Sequence, residues 1–109
     1  MDTSLIEKCV KECYACAQAC DQCAVACLGE GHASEMALCI RLDIECAEMC
    51  RLAGASMARN GAFAERICSL CAEVCESCAQ ECRQHQAAHC QRCAAACQRC
   101  AEACRQMAA

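Results

Sequence analysis

The cysteines of this chain recur at alternating steps of three and four residues. The first group contains Cys9, Cys13, Cys16, Cys20, Cys23 and Cys27. Two later groups repeat these steps, namely Cys68, Cys71, Cys75, Cys78 and Cys82, and then Cys90, Cys93, Cys97, Cys100 and Cys104. A mean spacing of about 3.5 residues is that of the core-facing positions of helices packed in a bundle. The pattern therefore predicts three helices, each with its cysteines on one face.

A fourth helix is predicted between the first and second of these groups, with fewer thiols. It contains Cys39, Cys46 and Cys50, and the same steps are completed by Met36, Asp43, Ala53 and Met57. Since Asp43 falls on the cysteine face, the pattern places one acidic side chain inside the bundle.

Helix boundaries follow from capping and turn residues. We expect the first helix to begin at Ser4, whose hydroxyl would form a capping box with Glu7, and to end near Gly29-Glu30-Gly31. The other expected bounds are about 34–58 for the second helix, about 62–84 for the third, and a fourth helix that ends near Met107. Asn60-Gly61 marks the second connection.

The third connection has no glycine or proline. The step from Cys82 to Cys90 is eight residues and breaks the cysteine rhythm, so we place a turn at 85–88; a single long third helix is the alternative. Short connections make neighbouring helices antiparallel. We therefore expect one all-α domain over residues 1–109, an antiparallel up-down-up-down four-helix bundle with a cysteine-lined core.

Composition and charge agree with this fold and exclude some functions. The chain has no proline and only four glycines in 109 residues, as long helices require. Its formal net charge of -4 offers no basic surface for nucleic acid. No apolar run approaches the ~18 residues of a membrane span, and the first residues lack the features of a secretory signal. We expect a cytoplasmic protein that binds neither nucleic acid nor membrane.

Nineteen cysteines need a chemical explanation. Ordinary core packing accounts for one or two thiols. Disulfides are disfavoured by the odd count and by a reducing compartment, although oxidation would allow bridges between helices. Zinc needs four ligands per site, so the thiols could form about four or five tetrahedral sites, each burying net negative charge at high cost. A redox enzyme would need a low-pKa thiol near a helix N-terminus, whereas these thiols lie mid-helix, and we expect no enzymatic activity.

Copper(I) fits the pattern best. It is a soft ion that prefers thiolate sulfur, and it accepts two or three ligands and allows one sulfur to bridge two ions. Each ion adds one positive charge and displaces one thiol proton, so a core with about one ion per cysteine stays near neutral. Most thiols also form pairs four residues apart, which stack on one helix face: Cys9/Cys13, Cys16/Cys20, Cys23/Cys27, Cys46/Cys50, Cys71/Cys75, Cys78/Cys82, Cys93/Cys97 and Cys100/Cys104. A zinc-binding or general, metallothionein-like thiolate protein is the alternative.

The chain resembles the cytosolic bacterial copper storage proteins over essentially its whole length. The resemblance rests on the number and spacing of the cysteines, on the chain length and on the pair His85 and His89. The resemblance implies a bundle whose 19 cysteines bind many copper(I) ions for storage or buffering, and assembly into a homotetramer. The sequence departs from this pattern in the sparse second helix, where Asp43 stands at a position expected for a ligand.

Antiparallel packing should sort the remaining side chains to two ends. We define the histidine end by Cys27, His32, Met36, Cys39, Cys82, His85, His89 and Cys90, and the methionine end by Ile6, Ala53, Met57, Ala64 and Met107. We expect copper to be taken up at the histidine end, with His85 and His89 as its first ligands; the alternative is that these histidines are polar turn residues that face water. Asp43 is expected either to accept hydrogen bonds from thiols or histidine or to bind copper; the alternative is a register shifted by one residue, which would turn Asp43 toward water. His32, Met36 and Met107 are weaker candidates for metal ligands.

Apolar residues outside the cysteine face form a second set: Ile40, Ile44, Leu52, Ile67, Leu70 and Val74. They are expected either to flank the core or to form a subunit interface. Copper ions, copper donor or acceptor proteins and further copies of the chain are the expected partners.

Overall fold

The computed structural model describes residues 2–108, and every regular element in that range is a helix: α1 (Thr3–Gly29), α2 (Ala37–Ala58), α3 (Ala64–Arg83) and α4 (Ala88–Ala108). Helix α1 packs against α2 and α4, and α3 packs against the same two helices. Neighbours are antiparallel, since Cys9 near the start of α1 contacts Cys104 near the end of α4, and Cys23 contacts Cys90. The bundle measures 45 × 17 × 17 Å. The predicted all-α, up-down-up-down four-helix bundle is confirmed.

The start of α1 differs from the prediction. Asp2 is the N-cap residue, and its Oδ1 accepts a hydrogen bond of 2.8 Å from the backbone N–H of Ser4. The predicted cap at Ser4 is therefore wrong, and Ser4 lies within the first turn. A carboxylate at this position satisfies an unpaired N–H and also carries a charge that the positive helix N-terminus favours.

Helix α2 begins later than predicted, at Ala37. Residues 33–36 form turns in which the carbonyl of His32 accepts hydrogen bonds from the N–H groups of Glu35 and Met36. The preceding Gly31 has φ +80°, a conformation that glycine adopts without strain. The chain thus turns sharply after α1, and the turns over residues 33–36 delay the start of α2.

Helices α3 and α4 are separate, as predicted, and the alternative of one long helix is wrong. The break between α3 and α4 contains neither glycine nor proline. A side chain donates the hydrogen bonds that backbone carbonyl groups lose where α3 ends. The Gln91 amide donates to the carbonyl of His85 at 2.6 Å and to that of Arg83 at 3.3 Å. These bonds satisfy carbonyl groups that the end of α3 leaves unpaired.

Gly54, inside α2, allows α1 to pack closely against α2. A Cβ atom at Gly54 would lie 3.0 Å from Cζ of Tyr14 in α1, so the missing side chain lets the aromatic ring lie close to the neighbouring helix. The contact joins α1 and α2 beside the sulfur core. None of the helices in residues 2–108 combines the length and the apolarity needed to cross a bilayer.

The apolar residues outside the cysteine face divide into two groups. Ile40 is buried, and Ile67 and Val74 pack against the core. Ile44, Leu52 and Leu70 are each about half exposed. The first three therefore flank the core, whereas the second three remain available on the surface of one chain.

Candidate metal centre

All 19 cysteines lie in one buried column along the bundle axis, with free thiols. Eighteen are fully inaccessible to solvent, and Cys68 is 1% exposed. The steps of three and four residues keep each cysteine face turned inward over several helical turns. Alanines fill the positions beside it, which lets the helices approach closely around the sulfur atoms. The predicted cysteine-lined core is confirmed.

Sulfur atoms of α1 and α4 meet across the core. The Sγ–Sγ distance is 3.6 Å between Cys16 and Cys97, and 3.6 Å between Cys20 and Cys93. Cys104 lies 3.7 Å from Cys9 and 3.8 Å from Cys13. A metal ion coordinated by two of these sulfurs would therefore link two helices.

The sparser helix α2 meets α3 in the same way. The Sγ–Sγ distances are 3.6 Å for Cys39 and Cys82, 3.7 Å for Cys46 and Cys75, and 3.8 Å for Cys50 and Cys71. Each of the three thiols of α2 thus faces a thiol of α3, between Cys71 and Cys82.

Pairs four residues apart also contact each other. Sγ–Sγ distances of 3.9–4.0 Å are found in five of the predicted pairs: Cys16/Cys20, Cys23/Cys27, Cys46/Cys50, Cys71/Cys75 and Cys93/Cys97. The members of the pair Cys9/Cys13 both lie against Cys104 instead. Contacts between helices are as short as those within a helix, so the thiols form a network rather than isolated pairs.

Groups of four sulfurs form within this network, with all members of a group within 4.8 Å of one another. They include Cys13/Cys71/Cys100/Cys104, Cys16/Cys46/Cys50/Cys75, Cys16/Cys20/Cys46/Cys97, Cys20/Cys78/Cys93/Cys97 and Cys23/Cys27/Cys39/Cys90. Three of these groups overlap, because Cys16 and Cys46 belong to two groups, as do Cys20 and Cys97. Shared sulfurs suit metal ions that bridge through thiolate.

Asp43 is fully buried among these thiols. Its Oδ1 accepts hydrogen bonds from the thiols of Cys78, Cys93 and Cys82 at 3.2, 3.3 and 3.5 Å. Burial raises the pKa of the Asp43 carboxyl to about 7. The predicted inward position is confirmed, and of the two expected roles the structure shows thiol hydrogen bonding.

Burial favours the protonated form of two thiols at the histidine end, those of Cys39 and Cys90. Burial raises the pKa of Cys90 to about 11. Burial also raises the pKa of Cys39 above its usual range, and the nearby charge of Asp43 adds to this effect. A metal ion that binds here must displace thiol protons.

The three histidines occupy different environments at the histidine end. His89 lies at the thiols, with Nδ1 3.3 Å from Sγ of Cys23 and 3.6 Å from Sγ of Cys90. His85 is partly buried, and its Nε2 pairs with the Glu81 carboxylate at 2.8 Å. His32 is exposed. The structure thus brings His89 to the sulfur column, whereas it places His85 beside an acid and His32 at the surface.

The carboxylate partners of these histidines were not among the predicted site residues. Glu81 precedes His85 by four residues on α3, a spacing that predicts a contact within a helix. Glu30 contacts His89 from the far end of α1, at 2.8 Å from Nε2, and no local spacing in the sequence indicates this pair.

Three of the five side chains predicted for the methionine end lie around one cavity. Met57 and Met107 are buried. Met57, Ile6 and Ala64 line a common cavity of about 450 Å³. Met36 is buried near the opposite end. Their burial is what core-filling methionines require.

Comparisons with known proteins agree with this geometry. The family model described as copper storage protein matches residues 2–109. The uncharacterised cysteine-rich protein YhjQ of Bacillus subtilis (strain 168) is 48% identical over 67 residues, a segment that spans 62% of this chain and 62% of that protein.

Solved structures extend the likeness to the whole bundle. The Cu(I)-bound copper storage protein BsCsp3 is 47% identical with a TM-score of 0.92, over 96% of this chain and 99% of that one. The apo form of copper storage protein 3 from Bacillus subtilis is 48% identical with a TM-score of 0.90, over 94% and 98%. A cytosolic copper storage protein from Streptomyces lividans, with five coppers, is 36% identical with a TM-score of 0.93, over 96% and 92%. With a matching family model, a matching bundle and a column of free thiols, this chain belongs to the copper storage protein family.

Proposed function

We propose that this chain stores copper(I) by binding many ions on thiolates inside its bundle. The ligands are the 19 cysteines of the core, joined toward the histidine end by His85, His89 and Asp43. The whole of residues 1–109 acts as one storage domain. The observation that carries the proposal is the continuous column of free thiols whose four-sulfur groups overlap.

Overlap of the groups favours copper(I) over zinc. Separate tetrahedral zinc sites with four ligands each cannot fill all of these groups, because neighbouring groups share Cys16 and Cys46, or Cys20 and Cys97. Copper(I) needs fewer ligands per ion, and bridging thiolates let neighbouring ions use the same sulfur. The network therefore has more capacity for copper(I) than for zinc.

Charge also favours copper(I) in a core without solvent. One ion per displaced thiol proton leaves the column near neutral, whereas four thiolates around each zinc ion leave buried negative charge. Asp43 is the only acidic side chain among the fully buried residues of the described chain. Because its pKa is raised to about 7, the Asp43 carboxyl group is neutral in the apo core below that pH.

Location and assembly are part of the proposal. We place the protein in the cytoplasm, where a reducing environment keeps thiols free; the Streptomyces lividans neighbour is a cytosolic copper storage protein. The exposed Ile44, Leu52 and Leu70 support assembly, with a homotetramer expected. Sedimentation of the apo-protein measures the mass, and a monomer at all concentrations would contradict the tetramer. Copper donor and acceptor proteins would exchange ions at the histidine end.

An anaerobic titration of fully reduced apo-protein with copper(I), with a competing chelator to report free metal, tests the function. We expect tight uptake of well over about ten ions per chain, since shared thiolates can approach one ion per sulfur. Saturation at about four or five ions, or displacement of copper by zinc, would instead indicate separate tetrahedral sites. The same titration with zinc is the control for general thiolate binding.

A further inference from the structure

The carboxylate of Glu30 closes a chain of contacts that leads from the surface into the sulfur column. Glu30 Oε2 lies 2.8 Å from Nε2 of His89, and Nδ1 of the same ring lies 3.3 Å from Sγ of Cys23. The Glu30 side chain is 39% exposed and the His89 side chain only 12%. The imidazole therefore stands between a solvent-accessible acid and a fully buried thiol.

The fold creates this contact by bringing together two helix ends. Glu30 is the C-cap residue of α1, and Gly31, with φ +80°, turns the chain away directly after it. His89 is the second residue of α4, which runs antiparallel to α1. The acid and the imidazole are thus 59 residues apart in the sequence and meet where α1 ends and α4 begins.

Hydrogen-bond chemistry fixes what each ring nitrogen does. A carboxylate can only accept, so the proton in the contact with Glu30 must belong to Nε2 of the imidazole. A neutral ring that carries its proton on Nε2 has its lone pair on Nδ1. That nitrogen faces Cys23 and Cys90, so the lone pair points at the thiols of the histidine end. In the other tautomer, Nδ1–H would point at sulfur and could not bind metal.

We infer that Glu30 is a positioning residue for copper uptake. It holds His89 in the Nε2–H tautomer, so that the Nδ1 lone pair is directed at the four-sulfur group that contains Cys23 and Cys90. The inference rests on the proposed function. Metal-binding histidines commonly have their other nitrogen held by a carboxylate, and loss of such a partner typically costs about 10–100-fold in metal affinity or activity. Glu30 itself touches neither sulfur nor metal.

Three variants separate positioning from charge. Glu30→Ala removes the acceptor and the charge, Glu30→Gln removes the charge but keeps an oxygen that accepts from Nε2–H, and Glu35→Ala removes a charge from an exposed residue of the same connection. The first readout is the ¹⁵N spectrum of His89 in reduced apo-protein, at a pH where imidazole is neutral. The second is the stopped-flow rate of uptake of the first copper(I) ions from a chelated donor.

We expect the Nδ1 and Nε2 resonances of His89 to move toward each other in Glu30→Ala, as two tautomers average, and to keep their separation in the other two variants. Uptake should slow about tenfold in Glu30→Ala alone. An unchanged ¹⁵N spectrum in Glu30→Ala would overturn the inference, as would a Glu30→Gln variant as slow as Glu30→Ala. Because the spectrum is recorded without metal, its outcome is independent of whether the protein stores copper.

Discussion

Replacing Asp43 by asparagine should remove a pH dependence from the stability of the apo-protein. The carboxyl group is fully buried and its pKa is raised from 3.8 to about 7. In the unfolded chain it ionises near its ordinary pKa, whereas in the folded protein it stays protonated until about pH 7. Between these values the folded state binds the extra proton, so the free energy of unfolding falls as pH rises.

The size of this effect follows from the two pKa values. The difference between 3.8 and about 7 corresponds to about 4 kcal/mol, at roughly 1.4 kcal/mol per pKa unit. This stability is fully present below about pH 4 and is lost by about pH 7. Asparagine has a similar shape and cannot ionise, so Asp43→Asn should lack this loss, although its amide protons find only weak acceptors among the thiols.

Denaturant unfolding of fully reduced, metal-free protein from about pH 4 to pH 8 measures the effect. Relative to Asp43→Asn, the wild-type protein should lose about 4 kcal/mol over this range. Asp21→Asn is the matched control, since Asp21 is about half exposed in an ion pair with Arg51, and such pairs contribute about 0–1 kcal/mol. Parallel stability curves for the wild type and Asp43→Asn would refute the reasoning.

Substitutions of His89 and of Gly54 test copper uptake and helix packing. His89→Ala should slow uptake of the first copper(I) ions about tenfold, because Nδ1 lies 3.3 Å from Sγ of Cys23. His32→Ala should leave the stopped-flow rate unchanged, since His32 is exposed; equal rates for both variants and the wild type would contradict the role of His89. Gly54→Ala should stabilise the reduced apo-protein by up to about 1 kcal/mol through helix propensity, because the half-exposed Tyr14 ring, 3.0 Å from the new Cβ, can move outward. Circular dichroism during denaturation measures this change, and a loss of stability would show that the ring is held in place.

The helices and the sulfur column could be predicted because they depend on local periodicity. A cysteine every three or four residues fixes which face of each helix turns inward, whatever the partner helix is. The same rhythm placed Asp43 correctly on the inner face of α2. It could not identify the partners of Asp43, because the thiols of Cys78 and Cys93 belong to helices whose relative heights depend on the connections between them.

Helix ends were predicted less well, because several side chains compete for the same unpaired backbone groups. Ser4 has the spacing of a capping box with Glu7, yet Asp2 reaches the first free N–H group and forms the cap. Just after α3, the side chain of Gln91, which lies in α4, donates hydrogen bonds to two carbonyl groups that the end of α3 leaves unpaired. A turn without glycine or proline is then stable, although no residue within it indicates one.

The spacing of residues along the sequence predicts the sulfur core better than it predicts the histidine end, where metal would enter. The sulfur network repeats along four helices, so an error in one connection would still leave thiols opposite thiols. The contact from Glu30 through His89 to Cys23 occurs once and depends on where α1 stops and where α4 starts. A shift of either helix end by one residue would turn the side chain about 100° around the helix axis and break the contact. Chemistry that depends on such a single contact is therefore visible only in the structure, whereas the sulfur column is already evident from the spacing of the cysteines.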